Sequence, residues 1–209
     1  MVDSKCKICR RAGTKLFLKG EKCLSPKCPM IRKPYAPGKK GKRRTRPLSE
    51  YGKELREKQK LKNWYNLQEK QFRNYVIKAL EARGKVEDTA AFLIEILESR
   101  LDNTVFRLGF ASSRANARQM VSHGHFLVNE RPIDVPSYKV KTGDKISLKP
   151  SSAKENAFRN LAAALKKYTP PSWLKLEAGK LEGEVQKLPS LEESAPPAEI
   201  ASIFEFYSK

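Results

Sequence analysis

The chain has 209 residues with 43 Lys and Arg against 23 Asp and Glu, a formal net charge of +20. Its length allows one or two domains, and its 39% hydrophobic content supports modest cores, which excludes a simple disordered basic tail. No run approaches the ~18 apolar residues of a membrane span, and the start, MVDSKCKICRR, has no signal-peptide core. The reading is therefore an intracellular protein whose partner is a polyanion rather than a small substrate or a membrane.

The charge is uneven. Residues 1–63 hold 21 Lys and Arg against 5 Asp and Glu, a net of +16, whereas residues 177–209 hold 3 against 7, a net of −4. This is the asymmetry of a basic arm laid on phosphates with an acidic end facing elsewhere.

All four cysteines lie in the first 28 residues, as Cys6-x2-Cys9-x13-Cys23-x4-Cys28. In an intracellular chain such clustering favours metal ligands over disulfides. Paired short spacings suit a tetrahedral zinc ion, and the lysines between them should favour the thiolate. Four thiolates leave no open position for water. The expected role of Zn(2+) at Cys6, Cys9, Cys23 and Cys28 is thus structural, holding a segment too short for its own core. The plainer alternative is four reduced thiols without metal.

Residues 32–47, RKPYAPGKKGKRRTRP, contain three Pro, two Gly and eight Lys and Arg. With no apolar stripe to bury, the stretch should be extended and order only on a partner. Lys39, Lys40, Lys42, Arg43, Arg44 and Arg46 are its phosphate candidates, adding sequence-independent affinity that falls with salt. A helix is expected from a Ser49 cap through Trp64 and Tyr65. A second, over 68–84, places Phe72, Val76, Ile77 and Leu80 on one face and stops at Gly84. A third starts near Asp88 or Thr89 and carries apolar residues from Phe92 to Leu108. Trp64, Tyr65, Phe72 and Tyr75 could stack on bases, but beside Leu61 and Val76 they read better as core.

The pattern changes at Gly109. Ser112 or Ser113 can cap a short helix that Gly124 terminates. Four strand-like runs follow: FLVN, PIDV, YKV and DKISL, separated by turn residues. Residues 154–168 look helical, residues 170–198 resist assignment, and AEIASIFEFYSK has enough Ile and Phe to dock back on a core. There is no internal repeat. Arg114 and Arg118 stand four apart on one helix face, where guanidinium forks suit phosphates and base edges. His123 and His125, at the helix end, fit a phosphate contact better than a metal.

The stretch from Arg100 to Leu148 resembles the small RNA-binding domain first defined in small-subunit ribosomal protein four. The matching positions are Ser113-Arg114-x-x-Ala117-Arg118, Gly124, Val128-Asn129, Tyr138 and Gly143-Asp144. LKGEKCLSPKCP, RPLSEYGKELREKQKLKNWY, EKQFR, LESRLDN and the terminal EFYS extend the likeness over nearly the whole chain. It is similar to the bacterial small ribosomal subunit protein four family. That resemblance implies a primary binder of small-subunit rRNA, docking early at a junction in the 5′ domain. It also implies a place near the mRNA entry channel beside small-subunit protein five, an influence on decoding accuracy, contact with mRNA in operon repression, and a monomer within the cytoplasmic ribosome. Beyond the arm, it implies RNA contacts at Lys58, Arg73, Arg107, Ser113, Arg114, Arg118, His123, His125, Asn129, Tyr138 and Lys139.

The expected fold is α+β. Residues 1–47 form a zinc knuckle and basic arm. Residues 48–98 form a helical domain completed by 170–209. Residues 99–169 form an inserted helix-loop-helix with short antiparallel strands and a following helix. Two rivals share the module. A stand-alone RNA-binding regulator or ribosome-associated factor would not need the helical domain. A pseudouridine synthase would use an Arg-Leu-Asp triplet like Arg100-Leu101-Asp102, but the Pro- and Glu-rich tail leaves no room for a catalytic domain. Asp102 is therefore expected to pair with nearby Arg or Asn groups, and the chain is read as a non-enzyme.

Overall fold

The computed structural model describes residues 4–38, 47–155 and 158–208. The chain divides into two compact units, Met1–Leu93 with Ala195–Lys209, and Ile94–Ser194.

In the first unit the cysteine segment folds into three short helices, α1 (Lys5–Ala12), α2 (Glu21–Leu24) and α3 (Pro29–Arg32). Gly13, at φ +75°, ends α1 in the left-handed conformation and donates its amide to the Cys9 carbonyl, a helix stop that a side chain would strain. Helix α4 (Glu50–Trp64) starts where expected, with Ser49 Oγ accepting from the Gly52 amide at 3.2 Å. Helix α5 (Glu69–Glu81) buries Phe72, Val76 and Ala79 at helical spacing. The C-terminal helix, α11 (Ile200–Ser208), packs on α4 and α5 through Ile200 and Ile203. Trp64, Tyr65 and Phe72 are buried, so these aromatics are core rather than stacking platforms.

One carboxylate ties these three helices. Glu69 accepts from Lys58 Nζ at 2.6 Å, from Lys62 Nζ at 2.9 Å and from Tyr207 Oη at 2.8 Å. Lys58 is only 5% exposed, and its ammonium lies 4.6 Å from the centre of the Phe206 ring, a cation–π contact. Expected at RNA, Lys58 is enclosed here by the returning helix: alternation in KQKLK says how lysines fan around a helix, not which of them such a helix will cover.

Helix α6 (Thr89–Glu98) carries the chain into the second unit. There α7 (Leu101–Arg107) and α8 (Arg114–Ser122) pack against a five-stranded antiparallel sheet. Its strands are β1 (Phe126–Val128), β2 (Arg131–Pro132), β3 (Lys145–Leu148), β4 (Leu174–Glu177) and β5 (Glu182–Val185), in the order β2-β1-β3-β5-β4. Phe126 faces Leu148 and Val128 faces Ile146 across β1 and β3. These four side chains are buried with Leu101, Val105, Val121 and Trp173. The β1–β2 turn is Asn129-Glu130, both at positive φ (+48° and +66°), the primed hairpin turn that matches strand twist.

Three expectations change here. Residues 138–140 make only an isolated bridge, Arg100 to Lys139. The helix expected over 154–168 is reduced to a 3₁₀ turn at Ser152–Lys154 and α9 (Leu161–Leu165). Within 170–198, β4, β5 and α10 (Leu191–Ser194) belong to the second unit, so the chain returns to the first at Ala195 rather than at 170. Strand β5 reads Glu-Gly-Glu-Val and shows no apolar alternation. Gly183 is buried at its centre, where a Cβ would collide with the Leu108 side chain, so of the strand's two inward positions only Val185 carries a side chain.

The Glu69 junction predicts a pH dependence. Burial alone would raise this carboxyl, but hydrogen bonds from Lys58, Lys62 and Tyr207 outweigh it and hold the group at about 2, against 4.5 ordinarily. A depressed folded-state value stabilises the fold above the unfolded value, and that contribution is lost as pH falls from about 4.5 toward 2. Melting temperatures of the parent chain and Glu69→Gln should differ most at neutral pH and converge on acidification. A gap that stays constant from neutral pH to pH ~2.5 would rule out the carboxylate as its source.

Candidate nucleic-acid interface

The residues matched to an RNA-binding helix-loop-helix surround a buried carboxylate. Glu98, fully buried, receives Arg107 in a forked pair, Nη2 to Oε1 at 2.7 Å and Nε to Oε2 at 2.9 Å. Asn103 Nδ2 donates to Glu98 Oε2 at 2.6 Å. Arg114 Nε donates to Asn103 Oδ1 at 2.8 Å, its Nη2 lies 3.8 Å from Glu98 Oε1, and its guanidinium stacks 4.7 Å from the Phe106 ring centre. Arg107 also donates to the Ser194 carbonyl at 3.1 Å. Beside this cluster, Arg100 and Asp102 form a second forked pair at 3.0 and 2.7 Å.

These contacts reassign several candidates. Arg114 is 8% exposed, so the expected Arg114–Arg118 pair on one accessible face is corrected: Arg114 turns inward to the cluster, while Arg118 stays half-buried. Arg107 is a structural cation. Ser113 is buried and caps α8, its Oγ accepting from the Asn116 amide at 3.3 Å. Asp102 is 4% exposed, paired as expected and withdrawn from any substrate.

Asn129 holds its hairpin. Its Nδ2 donates to Asp144 Oδ1 at 2.8 Å and its Oδ1 accepts from the Lys145 amide at 3.0 Å. Tyr138 is half-buried against the core, and its carbonyl accepts from the Leu101 amide at 2.9 Å. Lys139 is exposed but paired with Glu95 at 3.1 Å. His125 Nδ1 shares a 2.9 Å hydrogen bond with Ser152 Oγ, lies 3.7 Å from Glu155, and meets the Phe158 ring edge-on at 5.3 Å. The sequence showed no acid near it because Glu155 is brought in by the fold.

Several polar and cationic side chains remain accessible within each unit. Arg73 is exposed on α5 and His123 at the end of α8. The exposed Arg131, Lys145 and Lys149 were not singled out from sequence. The Lys149 amide donates to the His125 carbonyl at 2.8 Å, so this cation adjoins the histidine turn. The period-2 pattern of DKISLK, which turns Ile146 and Leu148 inward, was the signal that could have found it. Lys39, Lys40, Lys42, Arg43, Arg44 and Arg46 lie outside the described residues.

The cysteines converge from three helices and their loops. All four line one small cavity in the first unit, none is in a disulfide, and Cys9, Cys23 and Cys28 are buried. The Lys19 amide donates to Cys23 Sγ at 3.3 Å. Among the described residues, however, no three His, Cys, Asp or Glu groups are arranged to hold a metal, so the knuckle is not shown as a metal centre. The thiol chemistry also differs from expectation. Burial pushes Cys9 up, against the pull of a hydrogen bond from the Leu16 backbone, and the neighbouring Cys23, Cys6 and Cys28 push the same way. The four thiols nevertheless share one cavity, and one sulfur already accepts from a backbone amide.

The Arg100–Asp102 pair carries a stability prediction. Asp102→Ala should lower stability by about 3–5 kcal/mol in denaturant unfolding, because a buried guanidinium loses its carboxylate. A loss below ~1 kcal/mol would mean that the pair is not what fixes the start of α7.

Comparison with known proteins follows the same division of the chain. A ribosomal protein S4/S9 N-terminal domain model matches residues 1–98, and an S4 domain model matches residues 99–146. Small ribosomal subunit protein uS4 of Kosmotoga olearia is 47% identical over 204 residues, covering 98% of this chain and 96% of that protein. The protein of the same name from Thermus thermophilus is 46% identical with the same coverage. Small ribosomal subunit protein uS4A of Alkaliphilus metalliredigens is 47% identical over 207 residues, covering 99% and 98%. With this identity sustained through both units, the chain belongs to the small ribosomal subunit protein uS4 family.

Proposed function

We propose that this chain is a structural, rRNA-binding component of the small subunit of a cytoplasmic ribosome, and not an enzyme. The observation that carries the reading is the near full-length match to uS4 relatives, with an S4 domain at residues 99–146. Binding would combine two effects. The basic stretch Lys39–Arg46 would neutralise phosphates and release counterions. The helix-turn-helix and sheet of the second unit would present a rigid polar surface to the shape of folded RNA. The buried Glu98 and Arg100–Asp102 clusters support this reading by rigidifying that surface, and the enclosure of Asp102 weighs against catalysis.

Finer roles rest on the family resemblance. The chain would bind the rRNA 5′ domain as a primary binder that nucleates assembly. It would act as a monomer within the subunit, beside small-subunit protein five near the mRNA entry channel, and contribute there to decoding accuracy and contact mRNA. A structural zinc ion held by Cys6, Cys9, Cys23 and Cys28 belongs to the same proposal; when bound, it would cross-link three short helices that share little core. The thiols' shared cavity and the Lys19 amide directed at Cys23 support it.

The function is tested by affinity for a small-subunit rRNA 5′-domain transcript against an unrelated structured RNA of equal length, over a salt series. Preference for the 5′ domain should survive rising salt. Equal affinities that collapse together would reduce the interaction to charge and remove the ribosomal reading. Zinc is tested separately by metal analysis and melting. About one zinc per chain is expected, with a lower melting temperature after chelation or in Cys9→Ser. A metal-free chain whose melting ignores both treatments would exclude it.

A further inference from the structure

We propose that the groove between α1 and α4 receives one unpaired nucleotide of the bound RNA. This rests on the rRNA-binding reading and adds a site to it. The groove has a volume of about 510 Å³, within the ~300–1,000 Å³ range of pockets that enclose small ligands. Ile8, Leu48 and Leu55 give it apolar walls for a base face or ribose, and the half-buried Gln59 offers an amide that can both donate to and accept from a base edge. Arg11 and Arg56 are exposed at its lining, where a phosphate would lie. A third cation, Lys62, is tied to Glu69 and is not needed for the argument.

Charge selects the occupant. Among the described residues, no carboxylate lines this groove. A second groove in the same unit, about 480 Å³ and bordered by α5 and α11, is lined by three carboxylates, Glu87, Asp88 and Glu205, against one cation, Arg83, a net negative lining that disfavours a phosphate. In the sequence, the cationic stretch ending at Arg46 stops two positions before Leu48. Sequence-specific RNA recognition typically targets unpaired bases that can be splayed from a loop or bulge. A nucleotide with an apolar face, a polar edge and one phosphate matches this lining part by part.

The test separates filling the groove from removing its charge. Gln59→Trp fills it without altering charge, and Leu48→Trp fills it from the loop before α4, where a fold defect is least expected. Arg56→Gln removes one cation, and Lys85→Gln, an exposed cation outside the lining, is the control. Each folded variant is titrated with the rRNA 5′-domain transcript over a salt series. Both tryptophan variants should lose roughly tenfold in affinity at every salt concentration, with the salt slope unchanged. Arg56→Gln should instead lower the slope by about 0.7–0.9, and Lys85→Gln should match the parent. Parent-like binding by both filled variants would overturn the proposal and leave the groove to a non-RNA partner. Absence of 5′-domain preference in the parent chain would instead overturn the ribosomal reading beneath it.

Discussion

A single buried carboxylate organises the second unit. Glu98 ends α6 with no exposure to water, and such a charge is tolerable only when paired and hydrogen-bonded on all sides. Arg107 supplies the fork, Asn103 a further donor, and Arg114 reaches it through Asn103. Through these contacts α7 and α8 take fixed places relative to the end of α6, and Arg107 extends the tie to α10 at the Ser194 carbonyl. The Arg100–Asp102 fork pins the start of α7 beside it. The sheet then closes against the apolar faces of helices whose positions the charges have fixed.

The first unit is tied instead by a solvent-exposed carboxylate. Glu69 gathers Lys58, Lys62 and Tyr207, and Phe206 covers the Lys58 ammonium. In each unit some of the cations most suggestive of RNA in the sequence are consumed inside. A net charge of +20 therefore overstates no single contact: cations near a buried acid rigidify the scaffold, while those on solvent-facing positions remain for phosphates. This division of labour suits a protein that must present a fixed surface to folded RNA, since a rigid partner loses less conformational entropy on binding.

The cysteine segment works under another constraint. Helices α1, α2 and α3 are 8, 4 and 4 residues long, too short to be stable from helix propensity alone. Leu16 is fully enclosed there with Cys9, Cys23 and Cys28, a very small core. Four thiols line one cavity beside it. The segment's groove against α4 brings apolar and cationic groups of both helices onto one concave surface.

Local and periodic features were legible in the sequence: the Ser49 and Ser113 caps, the Gly124 stop, the buried Phe72–Val76 face, the Asn129 turn and the polyanion-seeking charge. Each depends on residues within about one turn of one another, or on a repeat that the chain displays directly. The inward turn of Lys58, Arg107 and Arg114, the pairing of Asn129 with Asp144, the arrival of Glu155 beside His125, and the strand built around Gly183 were decided only by the tertiary structure. The physical reason is common to all of them. A charged or small residue looks the same in sequence whether it faces water or a partner brought from far along the chain, and only packing determines which surface it meets.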